Sequence, residues 1–237
     1  MAKENGIFSS NSSEFKIDKK ENEPQFSLKH IVTLSGEAGT GKSFIINGLA
    51  IKYGLNVDQI VQIGEMFRDL AYKTTGKKME GFFERLPEVD HKVDALQISL
   101  LKDSRPRIID SRLGGWLAQQ VKQSQENLLP ITSIVLFGQK DVLEKRVHRR
   151  DSKINPDLTL EELRLQTEER RKLDFEHWRK IHNTLPITYL HKLNQSPFVV
   201  DVTLMDKEAA ISTVHELLLK NGALEKLPNK YFISQDR

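Results

Sequence analysis

The chain has no cysteine among its 237 residues. That excludes disulfides, thiolate zinc sites, iron–sulfur clusters and a cysteine nucleophile. No apolar run approaches the roughly 18–20 residues that span a bilayer. The opening stretch, MAKENGIFSSNSSEF, lacks the apolar core of a signal peptide. A soluble, cytoplasmic protein is expected, with no membrane partner. A charge excess is missing too: 36 Lys+Arg stand against 33 Asp+Glu, a net of +3. That is too slight to argue for DNA, and an RNA or protein partner is not favoured by it either. The seven histidines show neither H-x-x-x-H nor H-E-x-x-H, so no helix-borne zinc site is expected. What is present is 38% hydrophobic and 29% charged residues, an ordinary balance for one globular domain.

Residues 1–27 are rich in Ser, Asn, Glu and Lys and are expected to form a disordered tail. The domain is expected over 28–221, with a C-terminal tail over 222–237. Five β-branched or apolar runs read as strands: residues 30–35, 60–63, 107–110, 131–137 and 198–203. Stretches of helical length separate them, which argues for an α/β fold with a mainly parallel sheet. A helix is expected to run from near Gly138 to about Arg150 and to break over residues 151–156. A second starts with Thr159 and Glu162 as a capping box and runs, densely charged, to about Asn183. Leu117, Val121, Leu128 and Leu129 read as core.

The strongest local signal is Gly36-Glu37-Ala38-Gly39-Thr40-Gly41-Lys42-Ser43, a full match to G-x-x-x-x-G-K-[ST] between a strand and a helix. Glycines let successive backbone N–H groups turn into one concavity, and the following helix N-terminus adds positive charge. In such a loop Lys42 reaches the β- and γ-phosphates of ATP, and the Ser43 hydroxyl ligates Mg²⁺. Asp110, ending a strand, is the candidate second carboxylate near that metal. The loop says nothing about the acceptor of the phosphoryl group. Arginines supply more: Arg68 on a helix, Arg112 just after Asp110, and Arg146 and Arg150 four apart on one helix face. Guanidinium groups hold phosphates bidentately and stay charged.

Three segments then follow the loop in order: Gly64-Glu-Met-Phe-Arg68-Asp-Leu-Ala, Val89-Asp90-His-Lys-Val-Asp94-Ala-Leu-Gln97, and Ser111-Arg112-Leu-Gly-Gly-Trp116. Together they resemble the cytidylate kinases of the short, archaeal-like type, over residues 31–201. The resemblance implies a P-loop NTPase fold, three-layer α/β/α, with a five-stranded parallel sheet in order 2-3-1-4-5. It implies a nucleoside monophosphate kinase acting on CMP or dCMP with ATP and Mg²⁺. Residues 60–102 would be the helical monophosphate-binding insertion and 151–158 the short lid. Arg68 and Arg112 would grip the acceptor phosphate, with Asp94 and Gln97 at the acceptor pocket. Arg146 would lie near the donor base, and Lys42, Arg112 and Arg150 would serve the transfer itself. Arg170 matches the first of a family pair of arginines seven apart.

The chain departs from the family at two places. The second arginine of that pair is His177, which shares the face of Arg170, whereas Arg179 lies about 200° further round. The family's Glu-Gly before the third motif's arginine is Asp110-Ser111. These leave the acceptor base open. His177 is read as a partner of Asp174 on a solvated helix, without a catalytic role. A kinase for AMP or another small metabolite, and a non-catalytic nucleotide-switched binding protein, are the competing readings.

Overall fold

β2 (Ile31–Gly36) is buried along its whole length, as a central strand covered on both faces must be. Its side chains alternate between two cores. Val32 and Leu34 join one cluster with Ile45 and Leu49 of α1 (Lys42–Tyr53) and with Val214 and Leu218 of the last helix. Ile31 joins the other, with Phe67, Val93, Leu117 and Val121. The period of two in a strand therefore produces the three layers.

The computed structural model describes residues 26–76, 86–153, 155–182 and 198–227. A short ribbon strand β1 (Phe26–Leu28) precedes β2 and α1. Then come β3 (Ile60–Gln62), α2 (Ile63–Thr75), α3 (Pro87–Leu101), β4 (Arg107–Asp110), α4 (Gly114–Ser124) and β5 (Ile131–Phe137). The chain continues through α5 (Lys140–Asp151), α6 (Leu160–His182), β6 (Val199–Asp201), α7 (Lys207–Lys220) and β7 (Leu224–Lys226). The main sheet runs β3-β4-β2-β5-β6, all parallel. Counted along the chain, its strands lie in the expected order 2-3-1-4-5. The crossovers put the carboxyl ends of β2, β3 and β4 at one edge, where an open α/β sheet binds ligands.

Several details differ from the sequence reading. β1 pairs antiparallel with β7, so ordered structure passes both limits expected for the domain, residues 28 and 221. Each ribbon strand has three residues, too few for a period to show. The rest of the expected N-terminal tail lies outside the described residues. β6 stops at Asp201, because Thr203 turns its N–H and hydroxyl onto the Asp201 carboxylate. Leu117 and Val121 are core and Leu129 packs against it, but Leu128 is 70% exposed. It follows the end of α4, where no helix face holds it to the interior. The Thr159–Glu162 capping box forms, with reciprocal bonds of 2.8 and 3.2 Å.

The ribbon closes over a buried aromatic group. The Tyr53 hydroxyl and His215 Nδ1 are hydrogen-bonded at 2.6 Å, and Phe26 meets both rings edge-on. Burial, helped by Lys52 and opposed by Glu216, pushes the His215 imidazole below its ordinary value. Burial and then Lys122 do the same to His30. Below about pH 6.5 the unfolded chain binds protons that these folded imidazoles refuse. Stability is therefore expected to fall as pH drops from 7 to 5. Urea unfolding across that range checks this, and His215→Gln should shrink the drop.

Candidate active site

A glycine cradle forms at the end of β2 because no other residue fits it. Gly36 and Gly39 have φ of 153° and 87°. A Cβ on Gly36 would lie 2.6 Å from the Leu136 carbonyl oxygen, and one on Gly39 2.5 Å from that of Leu143. Gly41 precedes α1, whose N-terminus carries no side-chain cap. Its first N–H groups are thus left for a ligand at the loop. The Lys42 ammonium folds back over this loop, donating to the carbonyls of Gly36 at 2.8 Å and Glu37 at 3.2 Å. Thr40 closes the turn by donating to the Glu37 carbonyl.

Lys42 is hard to keep protonated here. Its ammonium is pushed down to about 8: burial, the largest cause, lowers it, Asp110 opposes, and Arg112, Arg170 and Arg150 add to the lowering. Three guanidinium groups close enough to act on one ammonium mark a site built for an anion of high charge. Asp110 shifts the other way: burial raises it, against Lys42, the Ser43 hydroxyl and Arg112. Ser43 Oγ donates to Asp110 Oδ2 at 3.4 Å. The hydroxyl and carboxylate are hard oxygen donors, the kind that Mg²⁺ takes.

One cleft of 1310 Å³ opens from this cradle. Along its donor end run Glu37, Ala38, Gly39, Thr40, Gly41, Lys42 and Ser43. Arg146 and Arg150 of α5 also line it. The Arg146 Nη2 donates to the carbonyls of Val202, Thr203 and Met205 at 3.0–3.2 Å, so its planar head is fixed against the loop after β6. Arg150, exposed, forks onto its neighbour Asp151. The same cleft is lined by Arg68 of α2, Asp94 and Gln97 of α3, Asp110, Arg112 and Arg170 of α6. Gly36 is the one residue of the expected set that does not line the cleft, since it is buried at the strand end. All the others converge.

Gln97 is clamped between two neighbours. Its amide donates to Asp94 Oδ1 at 3.2 Å and accepts from the Ser111 hydroxyl. Asp94 sets the amide orientation, because a carbonyl turned towards a carboxylate would be repelled. Arg112 donates to Asp174, which is 4% exposed.

Sequence reasoning missed the inward face of α6. Its dense charge read as a solvated surface. Instead Arg171 pairs with Glu37 of the loop at 2.6 Å, Asp174 with Arg112, and His177 with Asp90 of α3 at 3.0 Å. The expected His177–Asp174 pairing is replaced: His177 is buried and faces Asp90, while Asp174 turns to Arg112. The three-residue spacing of 171, 174 and 177 was visible, but nothing local to the helix told which face met the body.

No family model matches the chain. Among curated proteins, the cytidylate kinase of Methanococcus vannielii is 30% identical over 155 residues, which cover 65% of this chain and 81% of that protein. The cytidylate kinase of Ignicoccus hospitalis is 30% identical over 193 residues, covering 80% of this chain and 99% of that one. The chain belongs to the cytidylate kinase family. Among solved structures, an uncharacterised protein from Eubacterium ventriosum matches 81% of this chain and 99% of its own, with a TM-score of 0.54 and 13% identity. That likeness concerns the fold alone. Within this cytidylate kinase family member, the described residues contain no helix long and apolar enough to cross a membrane.

The close Cβ approach at Gly39 yields a direct test. Gly39→Ala is expected to weaken ATP binding by at least about tenfold, as a distorted phosphate cradle should. Titration with a fluorescent ATP analogue, beside a circular dichroism spectrum that shows the fold retained, measures it.

Proposed function

We propose that this nucleoside monophosphate kinase transfers the γ-phosphoryl group of ATP to CMP or dCMP, giving ADP and CDP or dCDP. The observation that carries the reading is a shared cleft. The lysine-bearing glycine cradle and Arg68, Arg112, Asp94 and Gln97 all line it. Two charged nucleotides, phosphates inward, match that distribution of charge. Relatives named cytidylate kinases, 30% identical, support the choice of base.

In this reading the loop N–H groups and the α1 N-terminus hold the donor phosphates. Lys42 gives up its loop carbonyls and bonds the β- and γ-oxygens. The added negative charge favours the ammonium form that burial disfavours. Arg68 and Arg112 align the acceptor phosphate in line with the γ-phosphorus. That phosphate is already ionised at pH 7, so the chain supplies position and charge rather than a strong base. Arg150 swings from Asp151 to the equatorial oxygens as charge spreads over them, and Arg170 supports the same region. Arg146, held on three carbonyls, walls the donor base. Ser43 directly, and Asp110 through water, would hold Mg²⁺. When bound, that ion neutralises charge on the phosphate oxygens. Closure of residues 151–158 over the cleft excludes water that would otherwise take the phosphoryl group.

A coupled ADP-release assay with CMP, dCMP, UMP, AMP and GMP tests the reading. CMP or dCMP should raise turnover at least about tenfold over ATP alone, and Arg112→Ala should cut kcat/KM by about 10²–10³. If no monophosphate raises the rate, the reading is wrong.

A further inference from the structure

Three side chains of α6 tie three separate parts of the cleft to one helix. Arg171 holds Glu37 in the phosphate loop, Asp174 holds Arg112 after β4, and His177 holds Asp90 in the first turn of α3. The third tie is made by His177, one of the two places where this chain departs from the family it resembles. A guanidinium is long and could reach into the cleft. An imidazole is short, and this one lies against a carboxylate. His177 and Asp90 are 8% and 11% exposed, with Nε2 3.0 Å from Oδ2. A carboxylate so buried is costly without a donor beside it.

Asp90 also has a place on its own helix that matters. Residues 90, 94 and 97 are four and then three apart, so they share one face of α3. All three line the cleft, and Asp94 and Gln97 are hydrogen-bonded to each other there. Anchoring Asp90 therefore sets the rotation and depth of the face that carries Asp94 and Gln97. Val89 and Val93, beside that face, pack into the core with Phe67.

We propose that His177 is a positioning residue for the acceptor nucleotide: it does not touch the acceptor but holds α3 in register through Asp90. This rests on the monophosphate-kinase reading.

A double-mutant cycle separates this from direct phosphate contact. His177→Ala should raise KM for CMP by about tenfold, with kcat and KM for ATP changed less than about threefold, because misplacement of α3 affects the acceptor end alone. His177→Arg keeps a donor to the carboxylate and should restore KM to within about threefold of the parent. Asp90→Asn alone should raise KM, and Asp90→Asn combined with His177→Ala should be no worse than His177→Ala, since both act through one bond. Additive effects, or a fall in kcat with KM unchanged, would overturn the proposal. If His177→Ala does not fold by circular dichroism, His177→Arg and Asp90→Asn, which keep the site filled, are compared instead. An Asp90→Asn variant with parental KM then rejects it. Failure of the parent enzyme to use any monophosphate is a different result: it ends the kinase reading, and this inference with it.

Discussion

A cation that its surroundings disfavour sits at the centre of this molecule. Lys42 lies in a loop that only glycine can form, buried, with Arg112, Arg150 and Arg170 near enough to depress its protonation. Such a cluster costs stability in the free protein and gains it back when a polyphosphate arrives. Asp110, buried and raised, is the opposite charge that keeps the cluster tolerable. The positions of the other site groups follow from that balance. The carboxyl ends of β2 and β4 place Lys42 and Asp110 together, and the register Leu34 to Asp110 fixes their relation.

The long helix α6 gives the site its second dimension. It leaves α5 with bonds from Arg164 to Glu144 and from Lys140 to Glu168, then crosses the cleft. Further along it meets the loop, the turn after β4, and α3 in succession. Exposed ion pairs of this kind contribute little individually, about 0–1 kcal/mol. The Asp174 and His177 pairs are different, since both side chains are buried. A helix that looks charged along its whole length thus has a buried, specific face and a solvated one. That makes the substitution of histidine for arginine a local rearrangement of support rather than a loss of machinery.

The donor end shows the same principle with backbone partners. Arg146 is seated on three carbonyls of the loop that follows β6, a loop bent there by Thr203 bonding back to Asp201. A guanidinium with its donors occupied in this way is a flat, immobile surface instead of a flexible charge. The sheet edge, the loop and α5 are therefore mutually fixed at the end where a nucleoside would rest.

Much of this was legible in the residues. The strand–loop–helix around Lys42, the five strands and the Thr159 capping box each depend on contacts within a few positions, and short-range sterics write such features directly into local spacing. The arginines and the Asp94–Gln97 pair were legible as a set because they recur in known order. What the chain alone left undecided was every contact made by sides of helices across long separations. The β1–β7 ribbon joins Phe26 to Lys226 and Leu28 to Leu224 across most of the chain, and three-residue strands have no period to betray them. Likewise Asp174 and His177, three apart on one charged helix, look like natural partners. Only the packing of α6 against α3 and Arg112 turned each away from the other, because a buried carboxylate and a buried imidazole both need polar partners, which distant parts of the chain supply.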